Sequence, residues 1–193
     1  VFNHIRLMLE KLPTGADELL PWAVLLHDIA KPVTAQRDAS GRLHYYGHEK
    51  IGATMAEEIL RRLKFSNQEI ETVCAAVRHH MQFNDVHRMR KATLRRMLLR
   101  ETFPLELALH RLDSLGSDGG LEYYDFCVAA AEELKRVPEI HPPLLTGHDL
   151  LALGVPRGKR IGELLHELRD KQLAEELKTA DEARAWVKKM LIQ

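Results

Sequence analysis

Apolar residues recur along most of this chain at the spacing of a helix face. The first segment places them at Val1, Ile5, Met8 and Leu12, and a later segment repeats the step at Ile51, Met55, Ile59 and Leu63. A short stretch over residues 38–46 instead reads as a small hairpin, because Ser40 and Gly41 indicate a turn there. The pattern therefore predicts an all-α fold.

The same periodicity predicts further helices at about residues 67–81, 93–100, 104–115 and 121–136. The stretch PEIHPP, from Pro138 to Pro143, then interrupts the pattern. Beyond it, capping residues and prolines predict three more helices, at residues 147–153, 157–177 and 180–190. We expect a helical domain over residues 1–140 and a small helical appendage over residues 141–193.

Composition excludes some classes of protein without selecting a function. Lys plus Arg and Asp plus Glu number 28 each, so no whole-chain charge attracts nucleic acid or anionic lipid. Cys74 and Cys127 lie far apart and outside any C-x-x-C motif, which is typical of reduced thiols in the cytoplasm. The longest apolar run, Leu19 to Leu26, is too short to cross a bilayer. We therefore expect a cytoplasmic protein without a membrane partner.

That apolar run leads directly into His27 and Asp28. An ionised carboxylate buried without a partner costs several kcal/mol or more, so something must compensate Asp28. Other polar residues share faces with the apolar stripes and are expected to point inward. These are His4 beside Met8, His48 in line with Gly52, His80 in line with Val77, and Asp113 after Leu109.

One divalent metal ion can satisfy imidazoles and carboxylates together. Nitrogen and oxygen ligands suit Mn, Fe, Ni, Co or Zn, whereas an all-oxygen shell suits Mg or Ca. Because neighbouring helical residues diverge by about 100°, His27 and Asp28 reach one ion only near a helix end. The following residues IAKP provide that end, since Pro32 limits helix continuation.

These residues and their order resemble a known signature. His4, then His27 and Asp28 followed by IAKP, then Asp113 in LHRLDSLGSDGG, resemble the H…HD…D pattern of HD-domain metal-dependent phosphohydrolases. Residues 26–81 resemble the HD region of bacterial tRNA nucleotidyltransferases of the poly(A) polymerase family, and residues 144–190 resemble the helical tail of the same proteins. Ala30 stands where that family commonly has glycine. This difference involves none of the implied metal ligands.

The resemblance implies a hydrolase that acts on a nucleotide or RNA phosphoester and uses one or two divalent ions, with Mn, Ni, Co, Fe, Zn and Mg as candidates. It implies that the metal is held by His4, His27, Asp28 and Asp113. It further implies that Lys31 lies near the substrate phosphate and that His48 and His80 line the cleft, where they can ligate a second ion. The expected catalytic residues are Asp28, Lys31, His48 and His80.

The other histidines are not expected among the ligands. His79 points away from the stripe formed by Val73 and Val77 and is interpreted as structural, with metal ligation as the less favoured alternative. The remaining histidines are interpreted as surface residues or as supports for the ligands: His44, His87, His110, His141, His148 and His166.

A basic stretch over residues 86–100 contains no acidic residue. Its cations are Arg88, Arg90, Lys91, Arg95, Arg96 and Arg100. If Thr93 begins a helix, Leu94, Met97 and Leu98 face the core while Arg95, Arg96 and Arg100 face solvent. Two interpretations remain open at this point, namely contact with phosphate or an RNA backbone and a solvated helix face.

Nucleotide addition needs strand-borne carboxylates for two Mg ions and a glycine-rich turn for the phosphates. The sequence offers neither, because the glycines of residues 116–120 follow a predicted helix and are interpreted as a loop. We expect any transferase portion to precede Val1, and the chain alone not to add CCA to tRNA. The leading hypothesis is a phosphohydrolase; the alternative is the non-catalytic tRNA-binding body of a CCA-adding enzyme, with a structural or vestigial metal site.

Overall fold

A computed structural model describes residues 1–117, 119–137 and 142–191, and this part of the chain is predominantly helical. Its α-helices are α1 (Phe2–Glu10), α2 (Leu20–Leu26), α3 (Lys31–Thr34), α4 (His48–Arg62), α5 (Asn67–His79), α6 (Lys91–Leu98), α7 (Phe103–Gly116), α8 (Glu122–Lys135), α9 (Gly147–Ala152), α10 (Lys159–Leu173) and α11 (Ala180–Leu191). A 3-10 helix covers His80–Arg88, and two short antiparallel strands, β1 (Gln36–Arg37) and β2 (Leu43–His44), pair Gln36 with His44. The predicted all-α fold is confirmed.

Local sequence signals account for several helix boundaries. Ser66 begins α5 with a reciprocal capping box, in which its hydroxyl accepts from the Glu69 amide and the Glu69 carboxylate accepts from the Ser66 amide. Thr146 and Asp149 form the same arrangement at α9, as the sequence indicated for Thr146. Pro32 follows the first residue of α3, where its missing N–H costs no helical hydrogen bond.

The helices pack into two compact units. The first comprises residues 1–87 and 100–128. In this unit α5 packs against α4, α2 and α7, and α1 packs against α7. Val24, Leu60, Val77 and Leu109 are fully buried at the centre of this core. The packing brings the ends of α2, α4 and α5 together around polar residues.

The second unit comprises residues 88–99 and 129–193. α10 packs against α6 and α9 within it, and Leu150, Leu164 and Val187 form its buried centre. The sequence did not indicate that α6 belongs with the C-terminal helices. The predicted division at residue 140 falls on residues 138–141, which lie outside the described residues, and it stays a prediction.

Two further sequence-based expectations concern the thiols and the membrane. Cys74 and Cys127 are both buried and unpaired with each other, and burial raises the pKa of each thiol to about 11. Across the described ranges, no helix combines the length and apolar character that crossing a bilayer requires.

Candidate metal centre

The polar residues that the sequence predicted to converge lie together in the first unit. His4 comes from α1, His27 and Asp28 from the turn that follows α2, His48 from the first turn of α4, His80 from the start of the 3-10 helix that follows α5, and Asp113 from α7. Because α2 ends at Leu26, His27 and Asp28 occupy a helix terminus, as predicted. His27, Asp28, His48 and His80 are each at most 5% exposed.

One side of the cluster joins His4, His27 and the two carboxylates. His4 Nε2 lies 2.8 Å from Asp113 Oδ1. His27 Nε2 lies 3.4 Å from Asp28 Oδ2 and 4.0 Å from Asp113 Oδ1. Ligand atoms of His4, His27 and Asp28 all lie within 4.8 Å of one another, a spacing that could hold a metal ion.

Asp28 also belongs to a second group. Its Oδ1 atom lies 3.5 Å from His48 Nε2 and 4.0 Å from His80 Nε2. The two Nε2 atoms are themselves 3.1 Å apart. Ligand atoms of Asp28, His48 and His80 again lie within 4.8 Å of one another. The Asp28 carboxylate is therefore shared by both groups, with one oxygen toward each.

Backbone carbonyl groups fix the orientation of three of these imidazoles. The Nδ1 atoms of His27, His48 and His80 lie 2.8, 2.7 and 2.6 Å from the carbonyl oxygens of Val24, Tyr45 and Val77 respectively. A carbonyl oxygen only accepts, so each Nδ1 must carry the proton that it donates. In the neutral rings every Nε2 therefore presents a lone pair toward the cluster. This is the usual support of a metal-ligating histidine, whose second nitrogen donates to the protein.

Electrostatics at the centre favours added positive charge. Burial opposes a charged His27 ring, but the Asp28 carboxylate outweighs burial and raises the pKa of His27. Burial likewise opposes ionisation of Asp28, yet His27 and Lys31 hold the pKa of Asp28 well below its usual range. Burial lowers the pKa of His80 to about 4, so this ring is neutral near neutral pH.

Two buried atoms at the centre lack a hydrogen-bond partner among the described residues, His27 Nε2 and Asp28 Oδ1. Buried polar atoms are normally satisfied, so such atoms indicate an absent partner or a functional role. Both atoms are metal-ligand types, and the surrounding nitrogen and oxygen donors suit a divalent transition metal. The residues present therefore fit a divalent metal, and buried His and Asp groups able to hold one are confirmed; which ion they select stays open.

Lys31 lies at the edge of this centre. Its Nζ atom lies 2.6 Å from Asp28 Oδ2, and its side chain is 28% exposed. The ammonium also lies 5.6 Å from the centroid of the Tyr45 ring. A cation is thus available where the centre meets solvent, and its predicted role near a substrate phosphate stays a prediction.

Gly116 lets α1 and α7 approach closely beside the centre. A Cβ atom at this position would lie 2.7 Å from Met8 Cγ and 3.1 Å from His4 Cε1. Both contacts are tighter than side chains ordinarily adopt, so any larger residue would displace Met8 or His4. Gly116, which lies one turn after Asp113 in α7, therefore helps to position His4.

His79 turns toward a different carboxylate. Its Nδ1 atom lies 3.2 Å from Oε1 of Glu106, which is fully buried and also accepts from Arg100 and Thr102. The interpretation of His79 as structural agrees with this arrangement. Sequence reasoning missed Glu106, although an acidic residue between the apolar Leu105 and Leu109 was the available signal.

The remaining histidines have varied surroundings. His110 is buried, with its ring stacked on Phe83 at 4.4 Å between centroids, so it is not a surface residue. The stabilisation from stacking the His110 ring on Phe83 outweighs the cost of removing its polar nitrogens from water. The expected surface position agrees with the structure for three exposed histidines, His87, His148 and His166, while His44 is half-buried and pairs with Asp38. His141 lies outside the described residues.

The basic stretch is largely neutralised within the chain. Arg95 donates to the Leu173 carbonyl and to Glu175, and Lys91 lies 2.6 Å from the same carboxylate. The expectation that Arg95 faces solvent is therefore wrong, because only 8% of the residue is exposed.

The other arginines of the stretch differ in exposure. Arg96 pairs with Asp170, and Arg100 with Glu106 at 2.6 Å; both are half-buried. Arg88 and Arg90 are exposed, and no ion pair with another described residue is found for either. Phosphate or RNA contact by the stretch stays a prediction, which now depends mainly on these two side chains.

Comparison with known protein families assigns the chain to one of them. A sequence model of the HD domain matches residues 1–115. The chain belongs to the HD domain family, as its resemblance to HD-domain proteins predicted.

The chain is also similar in sequence to three known proteins. It is 36% identical to the A-adding tRNA nucleotidyltransferase of Deinococcus radiodurans, over 98% of this chain and 46% of that enzyme. It is 34% identical to the CC-adding tRNA nucleotidyltransferase of Thermus thermophilus, over 86% of this chain and 38% of that enzyme. It is also 30% identical to the multifunctional CCA protein of Azoarcus sp., over 61% of this chain and 30% of that protein.

The chain spans less than half the length of each of these relatives. The predicted resemblance to tRNA nucleotidyltransferases is confirmed at the level of the family. No solved structure matches the chain.

Proposed function

We propose that the chain is a metal-dependent phosphohydrolase acting on nucleotide or RNA phosphoesters, and that it forms the HD part of a tRNA nucleotidyltransferase family protein. One observation carries this proposal. When the rings are neutral, Nε2 lone pairs of His27, His48 and His80 converge with the oxygens of Asp28, so that the buried cluster presents mainly acceptors. A bound cation would satisfy such a cluster at low cost.

The residues divide into two overlapping sets of ligands. His4, His27, Asp28 and Asp113 would hold one ion, and His48 and His80 with Asp28 would hold a second. A bound divalent ion lowers the pKa of water and offsets the charge that develops on a phosphoryl group. Asp28 orients the reacting water through its carboxylate, since each oxygen faces one set of ligands.

Lys31 and His80 supply the remaining functions. Lys31 is the partly exposed cation nearest to Asp28, so it binds the phosphate of a substrate that approaches from solvent. Burial lowers the pKa of His80 to about 4, so its neutral ring would present an Nε2 lone pair to a water in the centre and would accept a proton from it. The resemblance to HD-domain phosphohydrolases implies phosphomonoesters or 2′,3′-cyclic phosphates of nucleotides as substrates.

The names of the relatives support a role in tRNA processing, with tRNA as the partner. A location in the cytoplasm stays a prediction from the sequence. Their names describe nucleotide addition, which is also compatible with the alternative: a non-catalytic tRNA-binding body of a CCA-adding enzyme in which the metal site is structural or vestigial. Against this alternative, a purely structural centre would be better stabilised by apolar residues than by six polar ligands.

Hydrolysis assays separate the two functions. The purified chain is loaded in turn with Mn, Ni, Co and Mg and given a 2′,3′-cyclic nucleotide and a nucleoside monophosphate. We expect hydrolysis by the wild type and a loss of at least about 100-fold for Asp28→Asn, which keeps the side-chain shape. Asp38→Asn is the matched control, because Asp38 is an exposed carboxylate paired with His44 on the hairpin.

Each outcome selects one function. Metal-dependent hydrolysis that requires Asp28 but tolerates Asp38→Asn supports the phosphohydrolase. Stoichiometric metal without hydrolysis of either substrate removes the phosphohydrolase and leaves the tRNA-binding body, which then predicts salt-dependent tRNA binding.

A further inference from the structure

Lys31 contacts both the buried centre and an aromatic ring nearer to solvent. Its ammonium lies 2.6 Å from Asp28 Oδ2 and 5.6 Å from the centroid of Tyr45. Asp28 is buried, whereas the side chains of Lys31 and Tyr45 are both partly exposed. The ammonium therefore lies within reach of both the Asp28 carboxylate and the Tyr45 ring.

Lys31 contacts the same Asp28 oxygen that a metal ion bound beside His27 would use. Asp28 Oδ2 is the carboxylate oxygen nearer to His27, at 3.4 Å from its Nε2 atom, while Oδ1 faces His48 and His80. A cation held by His4, His27 and Asp28 would use this Oδ2 atom, because it is the Asp28 oxygen on the side of His27. The ammonium of Lys31 and the cation cannot share the same lone pairs, and their like charges repel.

Tyr45 is fixed to the centre through its backbone. Its carbonyl oxygen accepts from His48 Nδ1 at 2.7 Å, so its ring is attached to the same framework that orients the ligands. An ammonium within about 6 Å of an aromatic face is attracted to it. At a partly exposed position this attraction shifts an equilibrium by a factor of about two to five.

We propose that Lys31 competes with the metal for Asp28 Oδ2 and that Tyr45 is a positioning residue, whose ring holds the ammonium when Asp28 releases it. The inference rests on the metal centre of the proposed function but not on hydrolysis. In this proposal Lys31 limits the metal affinity of Asp28. When its ammonium lies against the Tyr45 ring, Lys31 binds the phosphate of the substrate.

Metal affinity measured without substrate tests the proposal. Binding of Mn²⁺ and of Co²⁺ is followed by calorimetry for the wild type, Lys31→Met, Tyr45→Leu, Tyr45→Phe and the double variant Lys31→Met with Tyr45→Leu. Tyr46→Leu is the matched control, because Tyr46 is the exposed neighbour and stacks on His44 rather than on Lys31. All of the tyrosine variants keep the backbone carbonyl.

The expected pattern is specific. Lys31→Met tightens metal binding, and Tyr45→Leu weakens it about two- to five-fold. Tyr45→Phe and Tyr46→Leu leave the affinity unchanged, since Phe keeps the aromatic face and Tyr46 is not involved. In the Lys31→Met background, Tyr45→Leu has no effect, because the residue through which it acts is gone.

Other results overturn the proposal. If Lys31→Met weakens metal binding, Lys31 orients Asp28 instead of competing for it. If Tyr45→Leu weakens binding equally with and without Lys31, its effect is structural. Wild-type protein that binds neither ion removes both this inference and the proposed function. Metal binding with the expected coupling but without hydrolysis keeps the inference and removes the phosphohydrolase.

Discussion

His48 and His80 point the same ring nitrogen at each other, with their Nε2 atoms 3.1 Å apart, while both Nδ1 atoms donate to backbone carbonyl groups. Two neutral imidazoles in this arrangement would oppose lone pair to lone pair. The contact becomes favourable when a positive charge lies between the rings. Because burial lowers the pKa of His80 to about 4, His80 does not carry that charge at neutral pH.

Metal binding should therefore stabilise the fold. At a metal concentration about 100 times the Kd, the gain in unfolding free energy is about 2.7 kcal/mol. His80→Phe should reduce this gain and should itself stabilise the chelator-treated chain, because it removes one of the opposed lone pairs. Denaturant unfolding with metal and with chelator measures both effects, with exposed His148→Phe as the control. An equal metal gain in His80→Phe and wild type would exclude His80 from the centre.

Gly116→Ala should displace His4. In a helix this change ordinarily stabilises by up to about 1 kcal/mol, but here the new Cβ would lie 2.7 Å from Met8 Cγ and 3.1 Å from the His4 ring. We expect destabilisation by about 1–3 kcal/mol and weaker metal binding. Gly162→Ala is the control, since this α10 position has no atom within 4 Å of a new Cβ. Identical behaviour of the two variants would mean that Gly116 does not position His4.

The convergence of the candidate ligands could be predicted from the positions of polar residues among apolar ones. Asp28 follows an apolar run, and His48 and His80 lie in line with apolar stripes, so their burial could be inferred from periodicity. The short hairpin followed from Ser40 and Gly41. The carbonyl groups that orient the rings could not be inferred, since they depend on backbone geometry at helix ends.

His110→Phe tests the pH dependence of stability. Burial lowers the pKa of His110 below its ordinary value of 6.5. The unfolded chain therefore takes up a proton below pH 6.5 that the folded chain does not, so the contribution of His110 to stability falls as the pH falls. Phe keeps the stack on Phe83 and removes both the titration and the unpaired Nε2 atom.

The stability advantage of His110→Phe over wild type should therefore grow as the pH is lowered through 6.5. Denaturant unfolding in the presence of a chelator, at several pH values, measures the difference without a contribution from metal. A difference that stays constant with pH would show that His110 titrates alike in the folded and unfolded chains.

Two parts of the basic stretch should respond differently to substitution. Arg95→Met removes the donor to Leu173 and Glu175 and should destabilise by about 1–3 kcal/mol. Replacing Arg88 and Arg90 by Gln should change stability by less than about 0.5 kcal/mol but should lower the salt slope of tRNA binding by about 1–2.

The control for charge alone replaces Lys188 and Lys189 by Gln, since both are exposed on α11. If this pair of changes lowers the salt slope as much as the Arg88 and Arg90 changes do, the stretch makes no specific contact with RNA.

The role of this stretch was hard to predict because its partners are distant in sequence. Glu175, Asp170 and Glu106 neutralise Arg95, Arg96 and Arg100, but none of them lies within residues 86–100. Local charge counting therefore overestimated the exposed positive charge. Arg95 in particular lies against the end of α10, where its guanidinium meets the Leu173 carbonyl.

Elemental analysis tests the central claim most directly, by giving the number of metal ions bound per chain. Wild-type protein is exposed to Mn or Ni, dialysed and compared with Asp28→Asn treated in the same way. Because Asp28 belongs to both groups of ligands, the account predicts one or two ions per wild-type chain and almost none in the variant. Wild-type protein without bound metal, or a variant that retains the full amount, would contradict it.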